Sequence, residues 1–278
     1  MQKIFISDKL SDDALKLLEN EKGVEYTMKP GLSEDDLAEE LKNYDALIIR
    51  SGTTVTPKVL SKTTRLKIIG RAGVGVDNVD IQTASQKGII VMNTPDANTL
   101  STCEQTIALI MATARNTPQA YMSLKAKKWD RSKLTGIELY GKTLGVVGLG
   151  RIGAEVAKRM ASFGMKIIGY DPFVTKEKAE SMGIEVMELA ELFKQADIIT
   201  IHVPKTKDTK DLTGKAQIDT MKKNVILINC ARGGIINEQA LYEALKSGRV
   251  QKAALDVFDK EPPFDSPLLE LDNIVLTP

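Results

Sequence analysis

Cysteine and histidine are nearly missing from this chain of 278 residues: Cys103 and Cys230 are its 2 cysteines and His202 is its 1 histidine. The cysteines lie far apart and show neither CxxC nor Cys/His ligand spacing, so neither a disulfide scaffold nor a zinc site is expected and no metal is assigned. That usage fits a reducing, cytoplasmic setting. An excess of one charge is missing too. With 38 Lys and Arg against 37 Asp and Glu, the formal net charge of +1 gives no global attraction to nucleic acid or to an anionic membrane, so any anionic ligand must be captured locally. No apolar run approaches the roughly 18 residues of a membrane span. The opening apolar stretch is interrupted by Asp8 and Lys9, too early for a signal peptide. Neither a fixed repeat period nor a low-complexity stretch occurs, which excludes solenoids and disordered linkers.

What is present is an ordinary folded composition, 42% hydrophobic and 27% charged. The length exceeds the usual size of one core, so two domains are expected. Strand-like runs at Lys3–Ser7, Ala46–Ile49, Lys67–Ile69 and Ile89–Met92 alternate with helical segments led by polar caps such as Ser11 and Ser33. A long helical stretch, Leu100–Arg115, leads across to a second series, and the polar segment Ala126–Tyr140 precedes it. In that series the runs are Thr143–Val147, Lys166–Gly169, Asp197–Ile201, Val225–Ile228 and Ala253–Val257. Alternation of this kind predicts an α/β chain with two doubly wound parallel sheets.

The sharpest local signal is Gly148-Leu149-Gly150-Arg151-Ile152-Gly153, a GxGxxG directly after an apolar strand and before a helical run read as Ala154–Ser162. Gly148 suits a tight turn, Gly150 lets backbone N–H groups approach a pyrophosphate, and Gly153 permits close packing of helix on strand. Together they predict an anion site at a helix N-terminus. Asp171, 18 positions after Gly153, ends the next apolar run and suits a ribose diol. An aspartate repels a 2′-phosphate, and Asp171-Pro172-Phe173 brings no arginine, so NAD is expected over NADP.

Four motifs then resemble a known family: Arg71-Ala72-Gly73-Val74-Gly75-Val76-Asp77-Asn78, the glycine turn, Asn229-Cys230-Ala231-Arg232-Gly233-Gly234, and Asp256-Val257-Phe258 through Glu261-Pro262-Pro263. These are hallmarks of D-2-hydroxyacid dehydrogenases. The resemblance implies a flavodoxin-like substrate-binding domain over residues 1–97, whose return segment is not in the sequence, and a Rossmann NAD-binding domain over residues 98–278. It assigns Arg232 to the substrate carboxylate and Glu261 to the carboxylate that orients a catalytic histidine. Arg151, Ile152, Pro172, His202, Val203, Pro204, Cys230, Ala231, Asp256 and Val74 are expected to join the glycines and Asp171 around the cofactor, Asp256 at the nicotinamide carboxamide. In the family a hydroxy acid binds between the domains; here Arg50, Ser51, Arg71, Gly73 and Gly75 match its loops, and Asn98 with Thr99 its hinge and cleft.

Within the family, Trp129-Asp130-Arg131 and Leu139-Tyr140-Gly141-Lys142 look most like phosphoglycerate dehydrogenases. Arg50, Arg71 and Arg232, with Arg131 donated by a neighbouring subunit, supply more cations than an unphosphorylated hydroxy acid needs. The expectation is therefore oxidation of D-3-phosphoglycerate by NAD in serine biosynthesis, by a homodimer or homotetramer that associates through the segment from Asn116 to Tyr140. Glyoxylate or hydroxypyruvate reductases share the scaffold, as do NAD(H)-sensing co-repressors similar to the C-terminal-binding proteins, and both readings stay open. The family's acid/base histidine follows a strand that here reads Asn273–Pro278, where the sequence stops, so the chain as given is expected to bind NAD better than it turns over. His202 matches a position beside the cofactor instead.

Overall fold

The computed structural model describes every residue from Met1 to Pro278. The chain forms two compact units, Met1–Asn98 and Thr99–Pro278. In the first, strands β1 (Gln2–Ile6), β2 (Val24–Met28), β3 (Ala46–Ile49), β4 (Ile68–Arg71) and β5 (Ile90–Asn93) alternate with helices α1 (Asp12–Glu19), α2 (Glu34–Glu40), α3 (Pro57–Ser61) and α4 (Ile81–Gln86). All pairings are parallel, in the order β2-β1-β3-β4-β5. This is the flavodoxin-like winding, with its direction reversing between β1 and β3.

Local chemistry explains the helix starts. Ser11 and Ser33 accept the backbone N–H groups of Ala14 and Asp36, and Thr56 does the same for Val59 ahead of Pro57. The core lies on the side covered by α2, α3 and α4, where Phe5, Leu47, Ile49 and Ile69 meet Leu37, Val59, Leu60 and Ala84. Helical cover is uneven. α1 buries none of its residues, and Ile68, Ile90 and Met92 remain exposed, because alternate residues of β4 and β5 point away from that core.

The second unit opens with α5 (Thr99–Arg115) and α6 (Thr117–Lys125). Its sheet strands are β6 (Thr143–Val147), β7 (Lys166–Tyr170), β8 (Glu185–Val186), β9 (Ile198–Ile201), β10 (Val225–Asn229), β11 (Val250–Leu255) and β12 (Ile274–Leu276). Between them lie α7 (Arg151–Ala161), α8 (Lys176–Glu180), α9 (Leu189–Gln195), α10 (Lys215–Thr220) and α11 (Glu238–Lys246). The parallel order β12-β11-β10-β9-β6-β7-β8 is the dinucleotide-binding order with one strand added, and its switch point lies between β6 and β9. β9 and β10 are buried on both faces and are apolar apart from Thr200 and the terminal Asn229, as expected of central parallel strands.

Two element starts differ from the sequence reading. α5 lies wholly within the second unit, packing Leu109, Ile110 and Ala114 into its core. Periodicity does not mark α6, because none of its residues is buried. The helix after the glycine turn begins at Arg151, not Ala154, because Gly150 is already its N-cap, and β11 starts earlier than its apolar run, at Val250.

Candidate functional site

The C-terminal ends of the strands of the second unit carry a cradle built mainly of backbone. Gly148 leaves β6 at φ +95°, and a Cβ there would stand 2.7 Å from the His202 carbonyl oxygen and 2.9 Å from Val203 Cγ1. A Cβ on Gly153 would lie 2.0 Å from the Gly148 carbonyl oxygen, so the first turn of α7 rests directly on the glycine turn. At Gly150 the situation reverses: a Cβ would meet nothing within 4 Å. Gly150, the N-cap of α7, brings no capping side chain, so the positive end of the helix dipole meets the open space beside it. That open, donor-lined cradle fits a diphosphate. Arg151 is exposed on the first turn, while Ile152 packs against the core.

Asp171 follows β7 and braces the turn. Its Oδ2 accepts the Leu149 N–H at 2.8 Å and its Oδ1 the Phe173 N–H at 2.8 Å. Two bonds leave roughly half of a carboxylate's acceptor capacity for a diol. Pro172 is exposed beside it.

Beyond the switch point, β9 leads into His202, Val203 and Pro204. The His202 ring Nε2 lies 2.9 Å from Thr200 Oγ1, and burial pulls its pKa down to about 4, so the ring is neutral near pH 7. With its proton affinity lowered by burial and Nε2 engaged by Thr200, this imidazole is a weak general base. After β10, Asn229 closes a turn by donating from Nδ2 to the Arg232 carbonyl at 2.9 Å and accepting the Ala231 N–H at Oδ1 at 3.0 Å. Arg232 Nη1 donates to the Ala231 carbonyl at 2.7 Å. Cys230 is buried, with its thiol pushed up to about 12, which keeps it protonated and unreactive. After β11, Asp256 Oδ1 accepts from Gln105 Nε2 at 2.8 Å and from Thr277 Oγ1 at 2.5 Å. Glu261 is exposed and accepts the Phe258 N–H at 3.0 Å.

In the first unit, the loops after β1, β3 and β4 are tied together at the topological switch. Asp8 Oδ2 accepts the N–H groups of Arg50 at 2.5 Å and Thr53 at 3.2 Å. Asn78 Nδ2 donates to the carbonyls of Arg50 at 2.7 Å and Thr53 at 2.6 Å, and its Oδ1 accepts Arg71 Nε at 3.1 Å. Ser51 sits within the loop so held, and the loop of Gly73, Val74 and Gly75 is anchored by Asn93 Nδ2 on the Val74 carbonyl at 2.6 Å. Asn98 is the last residue of this unit. Sequence reasoning does not single out Asp8, Asn78, Asn229, Gln105 or Thr277. Asn78 and Asn229 stand inside the family motifs, where an Asx turn is a readable signal, whereas Gln105 lies 151 positions from Asp256 and carries no local mark.

Arg131 lines a groove with Leu124, Trp129 and Leu134 on the surface of the second unit, where Trp129 is 78% exposed. No helix is long and apolar enough to cross a membrane.

Residues 107–278 match the family model for the NAD binding domain of D-isomer-specific 2-hydroxyacid dehydrogenases. The chain belongs to that family. The D-3-phosphoglycerate dehydrogenase of Methanocaldococcus jannaschii is 57% identical over 279 residues, covering 100% of this chain and 53% of the relative. The chain spans about half the length of the curated relatives it matches. Among solved structures, the TT0316 protein of Thermus thermophilus superposes with a TM-score of 0.91 at 34% identity, over 100% of this chain and 89% of that one. The D-lactate dehydrogenase of Aquifex aeolicus, solved with NAD and lactic acid, gives 0.87 at 30% identity over 99% and 87%. The glycine cradle, with its open Gly150 between a blocked Gly148 and Gly153, lies within the stretch that matches the family's NAD binding domain.

Proposed function

We propose that this chain is the catalytic part of an NAD-dependent dehydrogenase that oxidises D-3-phosphoglycerate to 3-phosphooxypyruvate, a step that supplies serine biosynthesis. The observation that carries the cofactor half of this reading is the cradle at Gly148–Gly153 with Asp171 at its flank. The backbone N–H groups of the first turn of α7 hold the diphosphate, and the remaining acceptor positions of Asp171 hold a ribose diol, disfavouring a 2′-phosphate. Bound NAD supplies the hydride acceptor. Asp256 presents Oδ2 to the nicotinamide carboxamide, because both of its intramolecular hydrogen bonds fall on Oδ1. Arg232, on the turn closed by Asn229, grips the substrate carboxylate through parallel N–H donors, which fixes the carbon to be oxidised. Glu261 is proposed as the carboxylate that orients the general base, and its attachment to the Phe258 N–H restricts it for that task.

The phosphorylated substrate is supported by the whole-chain likeness to D-3-phosphoglycerate dehydrogenases and by the number of arginines at loops after strands. Arg50, Ser51, Arg71, Gly73, Gly75, Asn98 and Arg131 are proposed as substrate contacts on the same ground. Self-association as a homodimer or homotetramer through residues 116–140 is supported by the exposure of Tyr121, Met122, Leu124, Trp129 and Tyr140, an apolar content unusual for free surface. A cytoplasmic location completes the proposal.

Titration of the purified chain with NADH and NADPH tests the cofactor reading. Binding of NADH at least about tenfold tighter than NADPH is expected from the acidic residue at the ribose; a folded chain that binds neither overturns it. For the substrate, the full-length protein should turn over D-3-phosphoglycerate in preference to D-lactate or D-glycerate, and the reverse order would favour an unphosphorylated 2-hydroxy acid.

A further inference from the structure

Asp256 is held from two directions by residues with no part in the glycine cradle. Gln105, on α5, donates from Nε2 to Asp256 Oδ1 at 2.8 Å and reaches Thr277 Oγ1 at 3.3 Å. Thr277, just past β12, donates its hydroxyl to the same Oδ1 at 2.5 Å. Backbone bonds set the register: the Asp256 N–H donates to the Asn229 carbonyl at 3.0 Å and the Thr277 N–H to the Leu255 carbonyl at 3.0 Å. The three side chains form a closed triangle. Both donors load one oxygen of the carboxylate, which fixes its χ rotation and leaves Oδ2 without a protein donor. A partly buried carboxylate with one oxygen saturated and the other unengaged is built to receive a further N–H.

We propose that Gln105 and Thr277 are positioning residues for the nicotinamide end of the cofactor: they lock Asp256 in the rotamer that offers Oδ2 to the carboxamide N–H. This rests on the NAD reading above. The consequence is a division of labour within one bound molecule. The glycine cradle and Asp171 hold the adenosine and diphosphate, and the triangle orients the ring that accepts hydride. Loss of either donor frees the carboxylate to rotate, and the ordering cost then falls on ligand binding.

The test compares two ligands that share the cradle but differ at the ring, NADH and ADP-ribose, by calorimetric titration of the purified chain. Gln105→Leu and Thr277→Val are each expected to weaken NADH about tenfold, the scale of one hydrogen bond to a charged group, while ADP-ribose changes by less than about twofold. Thr277→Ser, which keeps the hydroxyl, should bind NADH as the wild type does. If Gln105→Leu does not fold, Thr277→Val against Thr277→Ser makes the same comparison at the chain surface of the triangle. Equal weakening of both ligands, or no change in NADH, overturns the positioning role while leaving the cofactor site standing. A wild-type chain that binds neither ligand removes the cofactor reading, and this inference falls with it.

Discussion

Asp171 reaches back from the end of β7 to the glycine turn, where its Oδ2 accepts the Leu149 N–H at 2.8 Å. The residue proposed to hold the cofactor's ribose is thus also a strut of the turn proposed to hold its diphosphate. Leu149 is buried, so losing this acceptor strands a buried donor. Asp171→Ala should therefore cost about 1–3 kcal/mol in chemical denaturation, and NADH affinity should drop more than about tenfold, beyond what the lost stability explains. An Asp171→Ala chain that retains NADH at wild-type strength would remove the ribose assignment.

Gly150 and Gly153 separate folding from binding. Alanine at 153 would put its Cβ 2.0 Å from a backbone carbonyl that has no free path to move, so Gly153→Ala is expected to lose several kcal/mol, about 3 or more, or not to accumulate as folded protein. Alanine at 150 meets nothing within 4 Å and needs no unusual φ, so Gly150→Ala should keep its denaturation midpoint. Its methyl occupies the space left for the diphosphate, and NADH binding should fall by about tenfold or more. Thermal unfolding read beside NADH fluorescence distinguishes the pair; normal NADH binding by Gly150→Ala would contradict the cradle.

His202 supplies a pH signature with a defined sign. Its folded pKa of about 4 lies below the 6.5 of a free imidazole, because burial disfavours the charged ring. The unfolded chain therefore binds the extra proton first: stability is unaffected above pH 6.5, falls as pH drops below it, and stops falling below about 4. At pH 5 the loss should be about 2 kcal/mol relative to His202→Asn. Because the chain has 1 histidine, proton NMR reads its ring without assignment. The resonance should stay flat from pH 8 to about 5; a midpoint near 6.5 would show a solvated ring.

The Asn229 turn predicts a substrate effect that leaves the cofactor untouched. In the full-length protein, Arg232→Lys should raise KM for D-3-phosphoglycerate by about tenfold or more, since an ammonium cannot reproduce the parallel donors of a guanidinium. NADH affinity should stay within about twofold. Asn229→Ala should mimic part of the KM increase and also lower stability by about 2 kcal/mol, because it opens both bonds of the turn. An unchanged KM in Arg232→Lys would detach this arginine from the carboxylate.

The sequence itself determined the α/β class, most strands, the caps at Ser11 and Ser33, and the glycine turn. Each is a local decision: alternating apolar runs, a side-chain oxygen three residues from its donor, or a backbone conformation that only glycine adopts easily. Even so, the apolar pattern places the start of α7 three residues late, because GxGxxG marks both the turn and the helix's own first turn. Tertiary structure alone decided what braces the site. Gln105 meets Asp256 across 151 positions of chain, Asn78 gathers loops from two strands, and His202 loses its proton affinity to burial rather than to any neighbour in sequence. Such pairings depend on strand order and on which side of the switch point each loop emerges, quantities that exist only once parallel strands distant in sequence lie side by side.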